Sequence, residues 1–186
     1  GVCMTASDGR QGQGAGMSVP RSASSVPAAG LPDYAALRCV STFSFLVGAS
    51  QPEELVERAH KQGYRALALT DECSVAGVVR AHVAAKKIGL KLLIGSQFSV
   101  AVPEPSGSDA PGPFSLGVLA CNLNGYGNLC EFITKLRRAS EKGTYHLNLG
   151  DIASDELADC VVVASPVRGS TDAQLVGLRS EERRVG

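Results

Sequence analysis

The strongest constraint on this chain is an alternation that begins after residue 30. Short apolar runs take turns with stretches whose apolar residues recur at helical spacing. Tyr34 to Val40 reads as a strand. Ser50 then stands as an N-cap, with Pro52 at the start of a helix and Glu53 and Glu54 in its first turn, where acids complement the helix dipole. That helix runs to about Gln62 and stops at Gly63, with Leu55, Val56 and Ala59 on its apolar side. Arg65 to Thr70 is a second strand. The polar turn Asp71-Glu72-Cys73-Ser74 follows, and Ser74 caps a helix to about Ile88 whose Val75, Val78, Val79 and Val83 share a face. Lys91 to Val102 contains a third strand, Phe114 to Cys121 a fourth. Asn124 or Gly125 opens a helix to about Ser140, with Leu129, Phe132, Ile133 and Leu136 in period, and Cys160 to Ala164 is a last short strand. Strand-helix-strand succession of this kind predicts an α/β fold with parallel pairing, and strands 65–70 and 91–100 joined by helix 74–88 form a right-handed crossover unit.

The flanks break the pattern. Residues 1–30 hold six Gly, five Ser and five Ala but no Leu, Ile, Phe or Tyr, too little apolar area to offset the entropy of ordering them. They read as a disordered leader. Residues 103–113, with four Pro and two Gly, read as an exposed loop.

Composition excludes several functions. Eighteen basic residues against eighteen acidic ones leave no net charge, which argues against a bulk electrostatic binder of nucleic acid. Aromatics are 5% and Trp is absent, so platforms for stacking bases are poorly supplied. Apolar runs such as Cys160 to Ala164 are far too short to span a bilayer, so no membrane partner is expected. The six cysteines form no CxxC pair or zinc-ribbon spacing and read as reduced thiols in small core sites, as in a cytoplasmic protein. His60, His82 and His146 lack a ligand neighbour at metal-binding spacing. Asp151, Asp155 and Asp159 recur every fourth residue beside Glu156 and read as a solvated acidic face.

Asp71-Glu72 stands apart. Two adjacent acids directly after an apolar strand occupy the strand-end position where α/β folds place their chemistry. On the residues alone, turn chemistry and helix-dipole complementarity account for the same pair somewhat better.

At these residues the chain resembles a known family. YAALRCVSTFSFLVGASQPEELVERAHKQGYRALALTDECSVAGVVRAHVAAKKIGLKLLIGSQF, and later LNGYGNLCEFITKLRRASEKGTYHL, resemble the start of bacterial C-family error-prone DNA polymerases, which carry an N-terminal PHP (polymerase and histidinol phosphatase) domain. The likeness runs from about Tyr34 to Leu149. It implies a distorted β/α barrel with parallel strands, of which this chain supplies the first half. It also implies a truncated PHP domain over residues 31–178. RSEERRVG, residues 179–186, resembles a translated sequencing adapter and reads as an artificial tail.

The resemblance carries a metal site over only in part. Active PHP domains place an HxH pair at the end of the first strand, where Arg38 and Val40 stand here. An Asp-His pair follows their second strand, here Asp71-Glu72, and a Glu in a G-x-E context follows the third, here Gln97. Only Asp71 matches by type, so these five are vestigial pocket positions and no catalytic, cofactor-binding or metal-ligating residue is assigned. Arg38 is expected to bridge Asp71 or Glu72 where cations would sit. The implied function is that of a polymerase fragment without activity of its own. The parent would extend primers in damage-induced replication and lesion bypass, with DNA and the rest of its chain as partners and Mg²⁺ in the absent polymerase domain. An active metal-dependent phosphoesterase or 3′–5′ exonuclease, and a stand-alone scaffold for a partner polymerase, are the rival readings.

Overall fold

A computed structural model describes residues 34–100, 114–148, 150, 152–153 and 155–166. The expected leader, the 103–113 loop, Asp151 and the tail lie outside these. The elements run β1 (Ala35–Cys39), α1 (Pro52–Lys61), β2 (Ala66–Glu72), α2 (Val78–Ile88), β3 (Lys91–Val100), β4 (Phe114–Ala120), α3 (Leu123–Ala139) and β5 (Cys160–Pro166). The five strands form one sheet in chain order, a mixed α/β arrangement consistent with the expected partial barrel.

Pairing sense departs from the expectation. β1, β2 and β3 pair parallel, joined by α1 and α2. β4 pairs antiparallel with β3, and β5 antiparallel with β4. The Pro- and Gly-rich sequence of residues 103–113 between β3 and β4 is unsuited to the crossover helix on which a parallel connection usually relies, whereas β5 pairs antiparallel although α3 lies between it and β4.

The core is one layer of helices on one sheet face, in two clusters. One packs Val56 and Ala59 of α1 and Val78, Ala81 and Ala85 of α2 against Leu67 and Leu69 of β2. The other packs Leu129, Phe132 and Leu136 of α3 against Phe98, Val100, Phe114, Leu116 and Val118, with Phe98 and Phe132 edge to face at 5.2 Å. Burying side chains of this size is worth roughly 1.5–3 kcal/mol each and holds the sheet to its helices.

Helix α2 turns a different side inward from the one expected. Val79 and Val83 are 71% and 49% exposed, while Val78, Ala81 and Ala85 are buried. Alanines let α1 approach closely, and the Glu53 carboxylate accepts from Arg80 Nε at 2.6 Å across the two helices. Ser74 does not cap α2 either. Its hydroxyl accepts from Ala76 N–H in a local turn, and the helix begins four residues later. Gln51 rather than Ser50 precedes α1, its N–H donating to the Glu54 carboxylate at 2.8 Å. Asn122 caps α3, accepting from Gly125 N–H at 2.9 Å. Of the five described cysteines, all with free thiols, only Cys73 is buried. Asp155 and Asp159 lie in a run of turns before β5, not on a helix.

Candidate functional site

Strand β2 extends through Asp71 and Glu72, which the sequence had suggested for a turn. In a strand successive side chains point to opposite faces. The register sets Asp71 beside Ser96 and Glu72 beside Gln97. The adjacent acids therefore serve two separate polar clusters at the same end of the sheet.

Asp71 faces the helix layer and is 1% exposed. Its Oδ1 accepts from Ser41 N–H at 2.7 Å and from the Ser44 hydroxyl at 2.8 Å, and its Oδ2 accepts from the Ser41 hydroxyl at 2.7 Å. The same two hydroxyls also accept, Ser41 from Phe43 N–H and Ser44 from Glu72 N–H. Three donors meet one buried carboxylate, the arrangement a buried charge requires. Both serines come from the loop that follows β1, so this cluster fastens that loop to the end of β2.

Glu72 heads the second cluster. Its Oε1 accepts from the Ser99 N–H and hydroxyl and from the Tyr145 hydroxyl, and its Oε2 accepts from Gln97 Nε2 at 2.8 Å. Gln97 Oε1 in turn accepts from Arg38 Nε at 2.8 Å. Arg38 thus reaches the carboxylate through an amide and does not pair directly with Asp71 or Glu72, contrary to the expectation from sequence. The strand faces explain the difference: Asp71 points away, and the Gln97 side chain occupies the space between Arg38 and Glu72. Val40 lies just past β1, half-buried and without a polar atom to contribute.

Arg137, near the end of α3, closes the cluster from above. Its guanidinium donates to the backbone carbonyls of Cys73 and Glu72 and lies 5.6 Å from the centre of the Tyr145 ring. Burial pushes the Tyr145 phenol well above its usual range, and the bond it donates to Glu72 pushes the same way. Burial likewise pushes the Cys73 thiol up to about 11, against the opposing pull of Arg137.

Sequence reasoning reached Arg38, Val40, Asp71, Glu72 and Gln97 and missed Ser41, Ser44, Ser99, Arg137 and Tyr145. Ser41 and Ser44 lie within STFS, directly after the expected HxH position, and a search for local donors to a buried acid would have found them, whereas Ser99 lies two residues beyond Gln97 on the same face of β3. Arg137 and Tyr145 arrive from more than sixty residues away and leave no local signal. His60, His82 and His146 are exposed and take no part.

The sequence pattern of the PHP domain matches residues 36–173. The chain belongs to the PHP domain family. This PHP domain is 59% identical over 127 residues to an error-prone DNA polymerase of Ralstonia nicotianae, covering 67% of the chain and 11% of that protein. Against the error-prone DNA polymerases of Dechloromonas aromatica and Burkholderia mallei it is 51% and 48% identical, covering 77% and 84% of the chain but 13% and 16% of those proteins. The chain therefore spans about a seventh of the curated relatives it matches. An amidohydrolase structure from Chromobacterium violaceum is 25% identical with a TM-score of 0.45 over 56% of this chain and 34% of that one, a likeness too slight to argue from. Among the described residues no helix is long and apolar enough to cross a membrane.

Proposed function

We propose that this chain is a fragment, the first part, of the metal-free N-terminal PHP domain of an error-prone DNA polymerase, serving as a scaffold rather than a catalyst. The observation that carries the reading is the saturation of Asp71, the one residue that keeps a PHP ligand type. Its carboxylate is engaged by Ser41 and Ser44, and its neighbour Glu72 points to the other face and is engaged by Ser99, Tyr145 and Gln97. Arg38 adds a fixed cation beside them. These residues do not fit a PHP metal cluster, which needs imidazoles and free carboxylates converging on a common point.

Supporting the parental assignment are the 48–59% identities to error-prone DNA polymerases. On this reading the parent is a cytoplasmic enzyme that copies damaged template during damage-induced replication. Primer extension, and the Mg²⁺ it uses, belong to parts of the polymerase outside this chain. What this domain's own residues do is hold two strand ends and one loop in fixed relation through a network of hydrogen bonds.

Elemental analysis of the purified chain, together with a phosphatase assay in added zinc or manganese, tests the reading. No stoichiometric metal and no phosphate release are expected. The same is expected for Arg38→His, because one restored imidazole faces an unchanged Val40, Glu72 and Gln97. Stoichiometric metal in the unmodified protein, or metal-dependent phosphate release, would overturn it in favour of an active phosphoesterase or exonuclease.

A further inference from the structure

The loop between β1 and α1 carries its largest apolar side chains outward. Phe45, Leu46 and Val47 are 85%, 92% and 69% exposed, and Phe43 is 40% exposed. From Ser41 to Ser50 there is no charged residue. A loop tip bathed in water is ordinarily polar.

Nor is this tip loosely held. Ser41 and Ser44 tie its base to Asp71, as described above. Thr42 N–H donates to the Ser50 carbonyl at 2.9 Å and closes the loop, while Val47 and Gly48 N–H both donate to the Ser44 carbonyl. Gly48 passes so near Ser41 that a Cβ there would lie 1.9 Å from the Ser41 carbonyl oxygen. Leu46 sits at a φ of 64°, in the left-handed region that leucine rarely adopts. A strained leucine, fixed by hydrogen bonds beneath it and left almost wholly in water, is a preformed contact surface.

We propose that Phe43 to Val47 form a docking knob that seats in an uncharged, apolar hollow on the polymerase body, as an intramolecular contact. The proposal rests on reading this domain as part of a polymerase. Two observations select that occupant over a second copy of the chain. The matched relatives hold most of their length outside the segment covered here, so a large body is tethered to the domain. The knob itself is small: four exposed apolar side chains, too few to supply the roughly 800 Å² per partner of a stable free complex. A tether supplies the second partner at an effective concentration in the millimolar range, where so small a patch suffices.

The test uses the full-length polymerase with Leu46 replaced by the photoreactive p-benzoylphenylalanine. The expected result is an intramolecular crosslink to a peptide of the polymerase body, beyond the remainder of the PHP barrel; a crosslink to the rest of the barrel itself would overturn the proposal. A crosslink between the PHP domains of two molecules would overturn the proposal in favour of self-association, and a tip that reacts only with solvent would overturn it outright. As an independent readout, Leu46→Asp in the same full-length protein should speed protease cleavage of the connection behind the domain by about tenfold or more, since a buried leucine contact is replaced by a charge. An unchanged cleavage rate counts against the knob. Template-directed primer extension by the unmodified protein is measured alongside. Its absence would overturn the polymerase reading, whereas a missing crosslink in an active polymerase overturns only the knob.

Discussion

Asp71 and Glu72 differ in what would happen if their donors were removed. Ser44 has two partners at once, giving its proton to Asp71 and taking one from Glu72 N–H. Ser44→Ala should therefore cost about 2–4 kcal/mol, because it weakens the cover on a buried charge and orphans a backbone donor together. A fall in the urea midpoint at low protein concentration checks this. Tyr145 gives a pH signature. Its folded-state phenol lies above the usual 10.0, and the Cys73 thiol at about 11 lies above its usual 9.0. Groups raised in this way lend stability that is complete below their ordinary values and fades as pH climbs through the folded ones. Thermal melts should fall from about pH 9 upward as Cys73 and then Tyr145 ionise. Tyr145→Phe should melt lower than the unmodified chain at neutral pH, having lost a bond to a charged acceptor worth about 1.5–3 kcal/mol, and the gap should narrow above pH 10. Of these residues the acids were legible in the sequence, by their position after an apolar run. Their partners were not, since chain folding alone brings Tyr145 across 73 positions to Glu72.

The elements themselves were largely legible, because each strand and helix carries its own period. What failed were properties that depend on a neighbour. Nothing in the β4 sequence states which way its partner runs, so its antiparallel pairing with β3 could not be read from the residues of the strand. In α2 the valines suggested the buried face, but helix packing selected the alanines, whose small size admits α1. A similar close approach occurs at the start of α3. A Cβ on Gly125 would lie 2.1 Å from the Asp159 carbonyl oxygen, and the Gly125 carbonyl itself accepts from the Cys160 thiol. Gly125→Ala should push α3 away from the turn before β5 and cost about 2–4 kcal/mol, as overpacked contacts with backbone do. A lowered melting temperature with loss of protection confined to α3 and β5 in hydrogen exchange checks the assignment.

Taken as a whole, the described sheet is covered by helices on one face and ends at β5, whose Val161, Val162 and Val163 are 50%, 39% and 42% exposed. Among the described residues β5 pairs only with β4. An apolar strand with an open edge is a template for another chain. The chain on its own should therefore associate as its concentration rises, and Val162→Lys should reduce that association. Sedimentation velocity over a range of concentrations reads both, and a chain that stays monomeric throughout counts against the role given to β5. The order of strands across the sheet has one more consequence. Among the described residues each strand pairs only with its neighbours in chain order. Such a sheet needs no segment from beyond β5 to pair its five strands, which favours pairing in the order of synthesis. Strands β1 to β5 can therefore be paired before whatever follows them is translated.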